Sequence, residues 1–233
     1  MAKIAAFEGF SDATLSFLDG VAANNTREWF DVHRGDYKQH FVGAAQSFVV
    51  AIGQRLAPVV PGLRAEPRVN GSIFRLNRDT RFSRDKTPYK THMDIMWHVG
   101  EGRSRELPGF FFRMYPHSVM LGAGMHGFDK NVLAAYREAA GSSDGARLVS
   151  ILSELSDYDV GGQHYKRVPK GFDADHPRGD LLKHNAMHAG IEFSPLPAEA
   201  GSVEFVDFVA DHFETLAPLL MWVSEVVTAS RTK

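Results

Sequence analysis

The sequence predicts an α+β fold: a mainly antiparallel central sheet packed by N- and C-terminal helices. Three observations predict it. Apolar residues recur at helical spacing toward both ends of the 233-residue chain. In the middle, apolar and polar residues alternate, the period of a strand with one buried face. The candidate strands are joined by links too short for the crossovers that parallel neighbours require. No internal repeat, low-complexity tract or long linker interrupts the chain, so residues 1–233 are expected to form a single domain.

Ser11 is placed to cap a first helix that carries Leu15 and Leu18 on one side. Asn24–Thr26 breaks the pattern and caps a second, longer helix. Its apolar positions run through Trp29, Phe30, Tyr37, Phe41, Phe48, Ile52 and Leu56. Gly35 is a point of interruption, and Pro58 and Pro61 end the helix. Gly71–Leu76 reads as a strand. Thr91–Val99 reads as a clearer one, with Met93, Ile95, Trp97 and Val99 alternating with His92, Asp94, Met96 and His98. Gly109–Tyr115 and Ser118–Leu121 form a hairpin around Pro116–His117. Helices are predicted over Asp129–Ala140 and Gly145–Leu155, a short one near Gly179–His184, and a strand near His188–Ser194. From Ser202 the chain is again helical, and Pro218 is expected to kink or divide that helix.

Composition excludes several functions. The chain has no cysteine, so disulfides, thiolate metal sites and cysteine nucleophiles are ruled out. No run approaches the length of a membrane span. The start, MAKIAAFEGF, lacks the apolar core of a secretory leader, which predicts a cytoplasmic protein with no membrane partner. Charge is unevenly spread. Residues 64–92 carry a net +5 while the whole chain is −2, leaving −7 elsewhere. A basic patch on an acidic body suits a defined anionic ligand better than a general nucleic-acid coating.

The centre of that patch is RLNRDTRFSRDKTPYK, Arg75 to Lys90. Arg75, Arg78, Arg81 and Arg84 recur every three residues. A strand would split them between two faces, whereas an extended polyproline-like segment would align them. Pro88 and the Ser, Thr and Asp content predict a shaped loop. Guanidinium forks and ammonium groups bind phosphate or carboxylate, so the ligand candidates are Arg75, Arg78, Arg81, Arg84, Asp85, Lys86, Tyr89 and Lys90. In this reading Asp79 and Asp85 orient the arginines, and Tyr89 or His92 stacks on or hydrogen-bonds the ligand. For phosphate-ester or nucleotide chemistry, His92 or Asp79 would carry the proton. Two other readings stay open. The run would serve as a nucleic-acid interface if Phe82 and Tyr89 stacked bases between the cations. It would be structural if its Arg and Asp side chains paired with one another.

Other motifs are weaker. Ser83–Lys86 spells S-x-x-K but lacks the accompanying signatures of acyl-enzyme formation. Gly122, Gly124 and Gly127 spell G-x-G-x-x-G after a strand and before a helix, yet no βαβ unit surrounds them. A close backbone approach is the plainer reading. Gly124 also stays a ligand candidate, through amides at the following helix start. His184 and His188, and His92, Asp94 and His98, have spacings a metal could use, but core or surface histidines are the default and no metal is assigned. Lys166 and Lys170 belong to a second small basic cluster that would add to an anion site. Asn24, Asn25, Arg27 and Trp29 are candidates for the same cleft, with capping and core packing as their ordinary roles.

Four segments, FLDGVAANNTREWFDVHRGDY, FRLNRDTRFSRDKTPYKTH, MLGAGMHG and YKRVPKGFDADHP, fall in order between about Phe7 and Val227. Together they resemble DUF2461, a mostly bacterial family of conserved hypothetical proteins. The resemblance implies one domain and marks these segments as hallmarks. It brings no cofactor, catalytic residue or oligomeric state with it.

Overall fold

Ser11 stands before α1 (Asp12–Ala23) as predicted, although its hydroxyl meets that of Thr14 at 3.4 Å and not a backbone amide. Thr26 does cap: its hydroxyl accepts from the Trp29 amide at 3.2 Å and opens α2 (Arg27–Val32). The computed structural model describes residues 4–232, the side chain of Arg105 excepted. The long second helix of the sequence pattern is broken at His33. It resumes as α3 (Arg34–Asp36), passes through a wide π turn at Tyr37–Gly43 and ends as α4 (Ala44–Leu56), just before Pro58. The buried Thr14 hydroxyl donates to the His40 carbonyl inside that π turn at 2.8 Å.

The strands are β1 (Leu63–Arg64), β2 (Met93–Val99), β3 (Gly109–Met114), β4 (Val119–Met125), β5 (Asp159–Gln163) and β6 (His184–Phe193). They form a six-stranded antiparallel sheet in the order β1-β2-β3-β4-β6-β5. Between them lie α5 (Lys130–Gly141), α6 (Asp144–Glu154) and α7 (Gly179–Leu182), and α8 (Phe205–Arg231) follows. The α+β prediction holds, with corrections. Gly71–Leu76 is not a regular strand. Asn70 takes a left-handed φ of 64° and starts a tight turn, so the segment meets β2 only at an isolated Ile73–Ile95 bridge and adjoining hydrogen bonds. β5 was not anticipated, because its sequence DVGGQ offers no apolar alternation. β6 begins at His184, earlier than predicted. Pro218 does not divide α8. It removes one backbone donor, but Leu216, Leu219, Leu220 and Val223 are all fully buried, and packing sustains the helix. Among the described residues no helix is long and apolar enough to cross a membrane.

The chain divides into two compact units. The first takes residues up to Trp97 with Phe111–Leu121 and Glu192–His212; the second takes His98–Phe110, Gly122–Ile191 and the chain from Phe213. The first unit is built on an aromatic cluster. Phe48 lies 5.1 Å from Phe10, 5.0 Å from Phe112 and 5.8 Å from both Phe205 and Trp97, centroid to centroid. These separations are in the favourable range for aromatic pairs. The Trp97 indole N–H is satisfied by the Val49 carbonyl at 3.0 Å. In the second unit Phe110 stacks on Phe213 at 4.6 Å, and the buried Tyr136 hydroxyl donates to the Leu181 carbonyl at 3.0 Å.

Candidate functional site

Residues 77–90 form an irregular loop closed at its base by the Asn77–Tyr89 bridge and by hydrogen bonds from the Arg78 amide to Pro88 O (2.8 Å) and from the Lys90 amide to Leu76 O (2.8 Å). Asn25 pins the same base. Its amide nitrogen donates to Tyr89 O at 2.9 Å, and its oxygen accepts from the Tyr89 N–H at 3.0 Å. This side chain imitates a neighbouring strand. The expectation that Asn25 approaches the loop is met, but as a clamp on the backbone. Trp29 is half-buried, stacked on His33 at 3.9 Å.

Within the loop, arginines and aspartates pair with one another. Arg81 grips Asp79 bidentately, Nε to Oδ1 at 3.0 Å and Nη2 to Oδ2 at 2.7 Å. That pairing holds the Asp79 carboxyl at about 2. Asp85 accepts from the Thr87 amide at 2.9 Å, from the Thr87 hydroxyl, and from Arg78 Nη1 at 2.5 Å, and its pKa also lies at about 2, for those reasons in that order. Arg78 further donates to the Thr87 hydroxyl and carbonyl. Lys86 donates to Thr80 O at 2.9 Å. Arg75, Arg84 and Lys86 are exposed and make no ion pair among the described residues. Ser83 follows a turn and starts no helix, which removes the acyl-enzyme reading.

At the foot of the loop is a denser centre that sequence reasoning only half identified. Asp94, on β2, is 13% exposed. Its carboxylate accepts from Lys90 Nζ at 2.7 Å and from Arg113 Nε, across on β3, at 2.7 Å, with His92 Nε2 at 3.3 Å. Burial works against its charge, but hydrogen bonds from His92, Arg113 and Lys90 prevail and hold it well below the usual carboxylate range. Tyr115 packs on His92 at 5.0 Å. Asp94 and His92 were legible as strand neighbours. Arg113 was missed, because the register of β2 against β3 cannot be read from either segment alone.

One ring assignment needs correction. Tyr89 is only 6% exposed and stacks on Phe30 at 4.5 Å, so it belongs to the core and its ring does not face a ligand. Phe82, by contrast, is 96% exposed.

Gly124, Lys166 and Lys170 lie in the second unit. Gly122 and Gly124 are strand residues of β4, and the Asp129 side chain accepts from the Asn131 and Val132 amides at 2.8 and 2.9 Å. That helix start already holds an anion of its own, which displaces the dinucleotide and amide-anion readings. Lys166 and Lys170 are exposed. Their segment is anchored by its other residues. Arg178 donates to the carbonyls of Ala140 (2.9 Å), Gly141 (3.0 Å) and Ser142 (2.7 Å) at the end of α5. His176 Nδ1 accepts from the Arg178 amide at 3.0 Å, leaving its Nε2–H to reach Gly141 O at 3.2 Å.

The histidines do not assemble a metal site: among the described residues no group of three or more His, Asp or Glu side chains could hold an ion. His188 faces Gly161, where a Cβ would meet its ring at 2.2 Å, and lies 4.3 Å from the His126 ring. Burial, then repulsion from His126 and His184, lowers its pKa to about 4. An unfolded histidine titrates near 6.5, so the unfolded chain binds more protons between those values and stability is lost as pH falls from about 6.5 to about 4. The full loss is at most about 3 kcal/mol, less the share screened by solvent. Unfolding by denaturant across that window checks it: His188→Gln should flatten the profile, and an unchanged slope would refute the assignment.

A family model described as Conserved hypothetical protein (DUF2461) matches residues 13–222. No curated protein matches the chain.

Proposed function

The chain belongs to the DUF2461 family of conserved hypothetical proteins, and on that premise we propose that it binds a phosphate-bearing or other anionic small molecule at the Arg75–Lys90 loop. One observation carries the reading: Arg84 and Lys86, on the pinned loop, and Arg75, just before its base, are exposed and form no ion pair among the described residues. The paired arginines have another task. Arg78 and Arg81, tied to Asp85 and Asp79, give the loop its shape, so the structural reading of the run is assigned to them and the ligand reading to the unpaired cations. A shaped loop limits the ordering cost that a flexible cationic segment would meet on binding. If the ligand is a phosphate ester that is turned over, His92, oriented by Asp94, is the group we assign to proton transfer. Asp79, held by the Arg81 fork, is a weak base. A nucleic-acid track is less well supported, because burial of Tyr89 leaves Phe82 as the loop's one exposed ring.

The test is thermal unfolding at low salt with phosphate, sulfate, sugar phosphates and nucleotides. A ligand at a hundred times its Kd adds about 2.7 kcal/mol, or roughly 5–10 °C in a chain of this size. Replacing Arg75 and Arg84 by alanine should abolish the shift and leave the unliganded Tm almost unchanged, since both are exposed. No shift with any of these anions would overturn the proposal.

A further inference from the structure

Phenylalanine is the chain's most abundant aromatic residue, and Phe82 is the only one of the seventeen that is exposed. A single exposed apolar side chain is ordinary on a protein surface; its company is what matters here. Phe82 follows Arg81, whose Cζ lies 5.8 Å from the ring centroid and whose guanidinium is fixed in place by Asp79. Two residues on is Arg84, and four on is Lys86. The loop therefore presents one open aromatic face beside cations with no carboxylate partner.

We propose that the anion bound at this loop is a nucleotide, its base stacked on Phe82 and its phosphate held by Arg84, Lys86 and Arg75. This rests on the anion-binding reading above and adds the base to it. A plain phosphate or sulfate would use the cations and leave the ring without a role. A base offers a flat π face, and stacking is tolerant of base identity because every base has one. With Tyr89 buried against Phe30, the loop has one platform, which fits one base and not a run of them.

Matched ligand pairs separate the two layers of the proposal. AMP and ribose 5-phosphate share sugar and phosphate and differ by the base; ATP and tripolyphosphate extend the comparison to a longer phosphate chain. Titration of the full chain should give AMP or ATP binding about 5- to 150-fold tighter than its base-free counterpart, the range set by stacking one base on an aromatic side chain. Phe82→Ala should erase that difference and leave base-free binding as it was, and Phe82→Trp should keep it. The ring is exposed, so neither variant disturbs the core. Equal binding of the two members in both pairs would overturn the nucleotide assignment while the anion site stands. Absence of binding by all four would overturn both. If a twelve-residue oligothymidylate binds with a steep salt dependence and the mononucleotides do not, the surface is a nucleic-acid interface and the inference is wrong.

Discussion

Gly124→Ala is expected to destabilise the protein by about 2–6 kcal/mol, combining roughly 1–3 for a side chain at an unfavourable positive φ with roughly 1–3 for overpacking. The residue sits in β4 with φ +123°, and a Cβ there would lie 2.2 Å from the Met187 carbonyl oxygen and 2.6 Å from the His188 Cα. Both obstacles are backbone of the same unit, so no side-chain rotation relieves them. The midpoint of thermal unfolding should fall by roughly 5–25 °C. Gly127 supplies the control. It belongs to the same G-x-G-x-x-G string, but a Cβ there meets nothing within 4 Å, and Gly127→Ala should stay within about 0.5 kcal/mol of the parent. The pair tells close strand packing from a phosphate-cradling loop. Packing makes Gly124 critical and Gly127 dispensable for folding. A wild-type midpoint for Gly124→Ala would refute the packing account.

That string shows where sequence reading reaches its limit. Periodicity located β2, because Met93, Ile95 and Trp97 alternate cleanly and all three are buried. It located α5, α6 and α8 for the same kind of reason. It did not find β5, whose glycines are there because His188 and the β6 backbone leave no room for a Cβ, a constraint set by a strand more than twenty residues away. The candidate site divides in the same way. Charge density marked the loop, and the Asp79 and Asp85 pairings are short-range and so within reach of the sequence. The Asp94–Arg113 bond depends on strand register, and Asn25 reaches Tyr89 across sixty-four positions. Local composition does not encode such distances. The opposite fates of Phe82 and Tyr89, seven residues apart, follow from Asn25 drawing Tyr89 toward Phe30 while the loop carries Phe82 outward.

The Asp94 centre should prove the most demanding charge in the first unit. Removing a carboxylate that two cations share leaves both of them partly desolvated with no counter-charge, and breaking one side of a buried pair costs about 3–5 kcal/mol. Lys90 is 19% exposed and Arg113 40%, so water can reach Arg113 in particular. The lower end, about 3 kcal/mol, is therefore the expected loss for Asp94→Ala, equivalent to roughly 6–12 °C in midpoint. Asp94→Asn keeps an acceptor oxygen in place but not the charge, and should fall between alanine and the parent. Asp79→Ala is the matched comparison: it also breaks an Arg–Asp pair, but an exposed one that solvent screens, and should lower the midpoint far less than Asp94→Ala does. A double-mutant cycle of Asp94→Ala with Arg113→Ala should show clear coupling, because the two side chains touch. Equal costs for Asp94→Ala and Asp79→Ala, or additivity in that cycle, would mean that the centre is no better insulated from water than the loop above it. The physical case for His92 as a group oriented by Asp94 would fall with it.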